Sequence, residues 1–556
     1  MQLNGAEIVI ECLKEQGVDT VFGYPGGAVL NIYDALYKYS DKITHILTAH
    51  EQGASHAADG YARTTGKTGV VIATSGPGAT NLVTGLATAY MDSIPMVAIT
   101  GNVSTDLLAR DSFQEVDITG ITMPITKHNF IVKDIKDLAN ILRKAFRIAS
   151  TGRKGPVLVD IPKDITAAKY EYEPMTPEVR SIKTEATEEE FAAVAKALHS
   201  AERPMIYMGG GVLGSDASEQ LLALAEKLDC PVCSSVMGLG GFPSSHPLFV
   251  GTLGMHGGYD TGMATAHSDL ILTIGARFSD RVAGDRKKFG ENAVIIQMDI
   301  DRAEINKNVL VDYSLVGDLK DTLSKLCAVV EKENHDEWKA QLAKWKEESA
   351  VSVTASDEYA HPYKVIDSVR KLMRDEDIVV TDVGQHQMWV AQEYKFEKPH
   401  TWCTSGGLGT MGYGMGAAIG AQVGNPDKRV VLFSGDGSFH MNMNELVTAR
   451  SYNLPLVMIV MNNTVLGMVR QWQKLFYGRR FSQTDPHRQT DFVALAKAFG
   501  VDGLTIHNDS EIDTVLAEAF ALNGPVLIDC RISPDENVLP MIPPGKTVDN
   551  LITEME

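Results

Sequence analysis

Short apolar runs alternate with helical stretches along this chain, and several of the runs end in glycine-rich turns. That alternation constrains the fold more than any other feature, because it sets successive strands parallel and joins them by right-handed crossovers. Over residues 1–168, a helix at 5–16 precedes the runs Thr20–Phe22, Ile43–Leu47, Val70–Ala73, Met96–Thr100 and Val157–Ile161. The turns GYPGG at 23–27, TSGPGAT at 74–80 and TGN at 100–102 sit among them. Ligands of such sheets bind outside the carboxyl ends of the strands, where these turns lie. A second unit, 190–331, opens on a helix at 187–199 and carries Pro204–Met208, Leu270–Ile274 and Ala293–Asp299. A third, 360–556, carries Ile378–Thr381, Arg429–Ser434, Leu456–Met461 and Val526–Asp529. A charged, strand-poor stretch at 169–190 and a polar, helical one at 332–359 read as linkers. The expected fold class is α/β, with three doubly wound parallel-sheet units of similar size, as if one nucleotide-binding-like module had been duplicated. A chain of 556 residues is too long for one hydrophobic core in any case.

Composition excludes several classes. The 51 basic and 71 acidic residues give a net charge of −20, which repels nucleic acid and anionic membranes. No run approaches the ~20 apolar residues that span a bilayer. The first residues form an amphipathic helix pattern without the basic segment of a signal peptide. Six cysteines do not make a disulfide framework, so a reducing cytoplasm is expected. Cys230 and Cys233 have C-x-x-C spacing but lack the second pair that a zinc site needs, and read as thiols near a buried strand. No Walker A motif is present, and the two histidines of HEQGASH at 50–56 are too far apart for a zinc protease.

Two motifs carry chemistry. GDGSF at 435–439 follows the apolar run VVLF, and Asn462–Asn463 follow LPLVMIVM. Adjacent strand ends can bring Asp436 and Asn463 to one point, where carboxylate and carbonyl oxygens suit Mg2+. Gly435 and Gly437 let the backbone approach a diphosphate, and the helix that follows favours an anion. In the first unit Glu51 opens a helix after Ile43–Leu47, flanked by Ala, Gly, Ser and His. A carboxyl in a partly apolar pocket favours its protonated form and can share a proton with a heterocycle nitrogen. The stretch from GDGSF to Asn462–Asn463 resembles the thiamine-diphosphate signature of pyruvate-using enzymes, and the chemistry this implies needs such a group, since protonating N1′ of the aminopyrimidine turns the 4′-amine into the base that removes the C2 proton.

GYPGG, AHEQGASHAADGYAR, TSGPGATN, SFQE, KGPVLVDIPKD, GMHG, GARFSDR, GLGTMGYG, GDGSF and NNTVLGMVRQWQ follow one another across almost the whole chain. This ordered set resembles the acetohydroxyacid synthase (acetolactate synthase) large-subunit family of thiamine-diphosphate enzymes. The resemblance implies a pyrimidine-binding first unit, an FAD-binding central unit and a diphosphate-binding third unit. It implies decarboxylation of pyruvate and condensation of the remaining two-carbon unit with pyruvate or 2-ketobutyrate, the first common step of valine, leucine and isoleucine biosynthesis. By that resemblance Asp436, Asn463 and the Val465 carbonyl hold Mg2+, and Glu51 is the proton relay. Tyr24, Gly26, Gly27, Pro77, Asn81, Gln385, His386, Gly409, Met411, Gly435, Gly437 and Ser438 fall at coenzyme contacts. Met441 falls at the residue that keeps the coenzyme bent. Arg281 matches the arginine for the acceptor carboxylate, a task suited to its planar fork. Trp472 and Met468 shape the acceptor pocket, and Phe113 and Gln114 line its entrance. Ser279 stands where family members more often have Asp. Arg153, Gly210, Met255, His256, Gly275, Arg277, Asp299, Ile300 and Asp318 fall at FAD contacts, although 209–214 reads GGGVLG and not G-x-G-x-x-G. The proline-rich start of the C-terminal segment resembles the family's arm over the active site. The implied species is a homodimer or homotetramer, its active site shared between chains, with a separate small regulatory subunit. Pyruvate oxidase, sulfoacetaldehyde acetyltransferase and a non-catalytic nucleotide-binding module are the competing readings. Arg281 with Trp472 speaks against the first two, and intact Glu51, Asp436 and Asn463 against the third.

Overall fold

A computed structural model describes residues 1–177, 183–348 and 356–555. Residues 178–182 of the first expected linker, 349–355 of the second, and Glu556 lie outside the described residues. Three six-stranded sheets organise the chain, and every pairing within them is parallel. The first sheet runs Thr44–Leu47, Thr20–Tyr24, Gly69–Ala73, Met96–Asn102, Pro156–Pro162, His128–Ile131. The third runs Trp402–Cys403, Ile378–Thr381, Val430–Gly435, Leu456–Asn462, Val526–Arg531, Asp502–Ile506. Both follow the order second, first, third, fourth, sixth, fifth. The central sheet runs Phe249–Thr252, Val232–Ser234, Pro204–Met208, Leu270–Ile274, Val294–Asp299, Tyr313–Val316. Its order, third, second, first, fourth, fifth, sixth, is that of a dinucleotide-binding sheet. The first and third units are thus alike and the central one differs, so a threefold duplication of one module describes only the outer two.

The central strands are buried on both faces, which is why they read as continuous apolar runs. Each sheet has a switch point where the chain leaves in opposite directions. The turns there are Gly23–Gly27 with Thr74–Gly78, Gly209–Gly211 with Gly275–Arg277, and Asp382–His386 with Gly435–Ser438. All three crevices therefore sit at carboxyl strand ends, as expected for ligand sites.

The first and third units share one apolar core. Helix Glu51–Thr65 lies against helix Tyr413–Gly424 so closely that side chains have no room at the contact. A Cβ on Gly420 would lie 1.8 Å from the Ala57 carbonyl oxygen, and one on Gly60 2.2 Å from that of Ala417. Small residues at this spacing bring the two backbones together.

Both expected linkers are partly structured. Lys169–Glu171 pairs antiparallel with Gln2–Asn4, and Tyr172 is buried, so the chain stays with the first unit through that point. Residues Asp336–Glu348 form a helix with Trp338, Leu342 and Trp345 buried in the central unit, where the Trp338 indole donates to the Pro204 carbonyl at 3.1 Å. Three apolar anchors on one helical face outweigh the charge of the rest.

Candidate active site

At the switch point of the third sheet a cavity of about 90 Å³ is lined by Gly384, Gln385, His386, Met411, Gly435, Asp436, Gly437, Ser438, Asn463, Val465 and Met468, among others. Strand Val430–Gly435 delivers Asp436 to the first position of a short helix, and strand Leu456–Asn462 delivers Asn463. Their parallel pairing sets Gly435 opposite Met461, which makes the two turns neighbours. The Asn463 amide donates to Gln385 Oε1 at 3.1 Å, while its own Oδ1 accepts the Val465 N–H at 3.2 Å. Thr464 has a left-handed φ of 62° and reverses the chain so that Val465 returns to the cavity. Burial pushes the Asp436 carboxyl up to about 6. His386 is buried with Nε2 unpartnered, and burial depresses its pKa to about 3, which keeps the ring neutral. A neutral imidazole can place one N–H on an anionic oxygen. Among the described residues no group of three or more His, Cys, Asp or Glu is arranged to hold a metal ion. A carboxylate and an amide oxygen at two neighbouring strand ends are oxygen donors of the kind that could hold Mg2+, with room left for phosphate oxygens.

The first unit gathers Glu51, Pro77, Asn81 and Gln114 around its own switch point. The Asn81 amide donates to Glu51 Oε2 at 3.0 Å, and a Cβ on Gly78 would lie 3.2 Å from Oε1. Pro77 starts the short helix that presents Asn81, and Gly27 starts the turn Gly27–Val29. Gly26 lies against Thr74, where a Cβ would come within 2.5 Å of that side chain. Gln114 has a φ of 60° and lies over Gly76. Phe113 is 87% exposed, and Tyr24 is exposed too.

The central and third units meet at Arg281 and Trp472. The guanidinium lies 5.6 Å from the indole, within cation–π range, and Nη1 lies 3.5 Å from Met255 Sδ. Its contact with Asp280 is loose, at 3.9 Å. The C-terminal segment reaches this place: Ile542 N–H donates to the Met255 carbonyl at 2.8 Å. Gln471, one residue before Trp472, is buried and exchanges hydrogen bonds with the Val538 backbone.

A second cavity of about 850 Å³ lies at the central switch point. Arg153, Gly210, Gly275, Arg277, Asp299, Ile300 and Asp318 line it. A Cβ on Gly211 would fall 2.7 Å from the Gly275 Cα, so glycine there lets the two turns of the switch point come together. Burial pushes the Asp299 carboxyl up to about 6. Met255 and His256 do not belong to this lining. They sit by Arg281 instead, where the His256 carbonyl accepts from Gln392 and its buried Nδ1 has no partner.

Gly409 and Met441 stand apart from both cavities. A Cβ on Gly409 would meet open space, and Met441 is 57% exposed, with its Cβ 3.0 Å from where one on Gly412 would sit. The cavity around Asp436 is lined by residues 383–469 alone, so it does not include Glu51. Cys230 and Cys233 are free and buried.

Sequence reasoning missed several residues of the site. Lys154, Lys183 and Lys320 wall the large cavity, far apart in sequence and without a motif. Asp382 accepts backbone N–H groups of Gly412 and Gly414, which holds the loop carrying Met411. Its position at the end of Ile378–Thr381, before a glycine two residues on, was the available signal.

Comparison with known proteins agrees with this layout. Three family models match: the N-terminal TPP binding domain of thiamine pyrophosphate enzymes over residues 3–121, their central domain over 191–326, and their C-terminal TPP binding domain over 382–530. The acetolactate synthase large subunit of Buchnera aphidicola (subsp. Schizaphis graminum) is 45% identical over 97% of this chain and 96% of its own. That of Haemophilus influenzae is 44% identical over 99% and 98%, and the isozyme 3 large subunit of Escherichia coli is 42% identical over the same shares. The chain therefore belongs to the acetolactate synthase large-subunit family of thiamine pyrophosphate enzymes.

Proposed function

We propose that this chain removes CO2 from pyruvate and joins the remaining two-carbon unit to a second 2-ketoacid, either pyruvate or 2-ketobutyrate. The observation that carries the reading is the pairing of Arg281 with Trp472 across the boundary of the central and third units. A forked cation above an aromatic wall suits an acceptor with a carboxylate at one end and a short alkyl group at the other. When bound, thiamine diphosphate supplies the electron sink that makes loss of CO2 possible.

The chain's own groups do the rest. Glu51, oriented by Asn81, holds a proton at the aminopyrimidine ring nitrogen. Asp436, Asn463 and the Val465 carbonyl would hold Mg2+, which neutralises the diphosphate. The unpartnered His386 Nε2 fits that anion as a donor. Arg281 holds the acceptor carboxylate, Met468 and Trp472 bound its alkyl group, and Phe113 and Gln114 guard the entrance. The arm around Ile542 excludes water from the reacting carbon.

FAD fits the large cavity: its volume, its glycine backbone and its basic wall of Arg153, Arg277 and three lysines suit a dinucleotide. The condensation has no net redox step, so the flavin would be structural. The working species is a homodimer or homotetramer in the cytoplasm, with a small regulatory subunit as partner. The decisive experiment supplies pyruvate and 2-ketobutyrate together, with thiamine diphosphate, Mg2+ and FAD each present or omitted, and identifies the products. 2-Acetolactate and 2-aceto-2-hydroxybutyrate are expected; with inorganic phosphate and dissolved oxygen also present, acetyl phosphate as the main product would refute the assignment. Glu51→Gln should lower turnover about a hundredfold or more with the pyruvate KM little changed.

A further inference from the structure

Glu445 is a fully buried carboxylate that the function above does not use. It stands nine residues after Asp436 in the third unit, yet its backbone partners belong to the first. Oε2 accepts the Ala49 N–H at 3.1 Å, and Oε1 accepts the His50 N–H at 3.0 Å. Thr448 Oγ1 donates to Oε2 at 2.6 Å, which fixes the rotamer. The next residue of the clasped backbone is Glu51. Gly53 makes room for the arrangement, since a Cβ there would lie 2.1 Å from Oε1. The charge also faces the N-terminus of helix Glu51–Thr65, where the helix dipole favours an anion.

The boundary repeats the device in reverse. Asp92 of the first unit accepts the N–H groups of Gly406 at 3.2 Å and Gly407 at 2.7 Å in the third, two residues before Gly409. Two buried carboxylates thus each grip two successive backbone N–H groups across the same boundary, just ahead of a residue assigned to the coenzyme.

We infer that Glu445 is a positioning residue for the reaction: it fixes the backbone that aims the Glu51 carboxyl at the coenzyme. The carboxylate is needed as such, because it offers one oxygen to each N–H and one of them also to Thr448. An amide of the same volume would set an NH2 group against one of these donors. Loss of half the clasp frees the turn before Glu51, and small misplacements of a proton-transfer group are costly in rate. Asp436 and Glu445 lie on one short segment, 436–445. With active sites shared between two chains, that segment therefore serves the diphosphate end of one coenzyme and, through the clasp, the glutamate at the pyrimidine end of the other.

The inference rests on the reading of Glu51 as proton relay, and the test separates the two. Full-length enzyme loaded with thiamine diphosphate and Mg2+ is transferred to deuterium oxide, and loss of the coenzyme C2 proton is followed by quenched NMR. Coenzyme affinity is measured by tryptophan fluorescence. Glu445→Gln should slow C2 exchange about tenfold or more, with affinity changed less than about threefold. A merely structural role would move affinity and thermal midpoint and leave exchange in the loaded enzyme intact. Thr448→Val, which removes one donor, should slow exchange by a smaller factor, and it carries the test if Glu445→Gln fails to fold. Parental exchange in Glu445→Gln, or in Thr448→Val where that variant stands alone, overturns the inference, provided Glu51→Gln abolishes exchange. Parental exchange in Glu51→Gln itself defeats the underlying reading.

Discussion

Asp160 is buried in the first sheet, where Thr100 Oγ1 donates to Oδ1 at 2.7 Å and the Asn102 amide to Oδ2 at 2.6 Å. Burial pushes this carboxyl up from its ordinary 3.8 to about 7, against those two hydrogen bonds. Between these values the folded chain binds the proton and the unfolded chain does not. Its contribution to stability is then full below about pH 4 and disappears as pH rises through about 7. The full amount is on the order of 4 kcal/mol. Asp160→Asn removes the titration while keeping the shape. The variant's melting temperature relative to the parent should rise from pH 4 to pH 7 and then level off; a constant difference across that range would count against this account. Residue-scale reading of the sequence placed side chains together where their position follows from local context. Asp436 and Asn463 were legible because each follows an apolar run, and strand ends converge. Asp160 and Glu445 were not, because their environments come from residues distant in sequence: Glu445 finds its backbone partners in a turn 395 and 396 positions away.

Elements were legible in proportion to their burial. Pro204–Met208, Leu270–Ile274 and Ile378–Thr381 match the apolar runs end to end, since a strand covered on both faces must be apolar throughout. The strands His128–Ile131, Tyr313–Val316 and Asp502–Ile506 escaped notice: they are sheet edges, partly exposed, with polar residues among the apolar ones. The helix Asp336–Glu348 was legible as a polar helix, but its charge hid its packing on the central unit, though Trp338, Leu342 and Trp345 repeat at helical spacing. Tertiary closeness was least legible. A glycine-rich stretch at 412–424 reads equally as a turn or as a helix that abuts another backbone. The packing of helix Tyr413–Gly424 on helix Glu51–Thr65 requires glycine at 420, where a Cβ would meet the Ala57 carbonyl oxygen at 1.8 Å. Gly420→Ala should destabilise the chain by about 3 kcal/mol, read as a lower denaturation midpoint. Gly214→Ala, where a Cβ would touch nothing within 4 Å, is the control and should change little. Equal midpoints for the two variants would show that the helices can part without cost.

At the scale of the whole molecule, the parts of the proposed reaction do not meet within one chain. The cavity around Asp436 contains only third-unit residues, and Glu51 lies on a first-unit face beside exposed Tyr24 and Phe113. Met441, also assigned to the coenzyme, is 57% exposed on the third unit. Large apolar side chains left open beside assigned site residues call for a cover, and the proposed second copy of the chain would supply both cover and missing half. If the first unit of one copy completes the third unit of the other, Glu51→Gln and Asp436→Asn disable opposite halves. Each variant alone inactivates both sites of a symmetric dimer. A mixed dimer instead pairs the two defects in one site and leaves the other with Glu51 and Asp436 both intact. Random exchange makes half the dimers mixed, each with one working site, so activity should return to about a quarter of the parental value. The measurement is activity after two inactive preparations are mixed, dissociated in mild denaturant and reassembled. Activity that stays at the level of the separate variants, despite exchange verified by a mass tag on one of them, would place both halves of each site in a single chain.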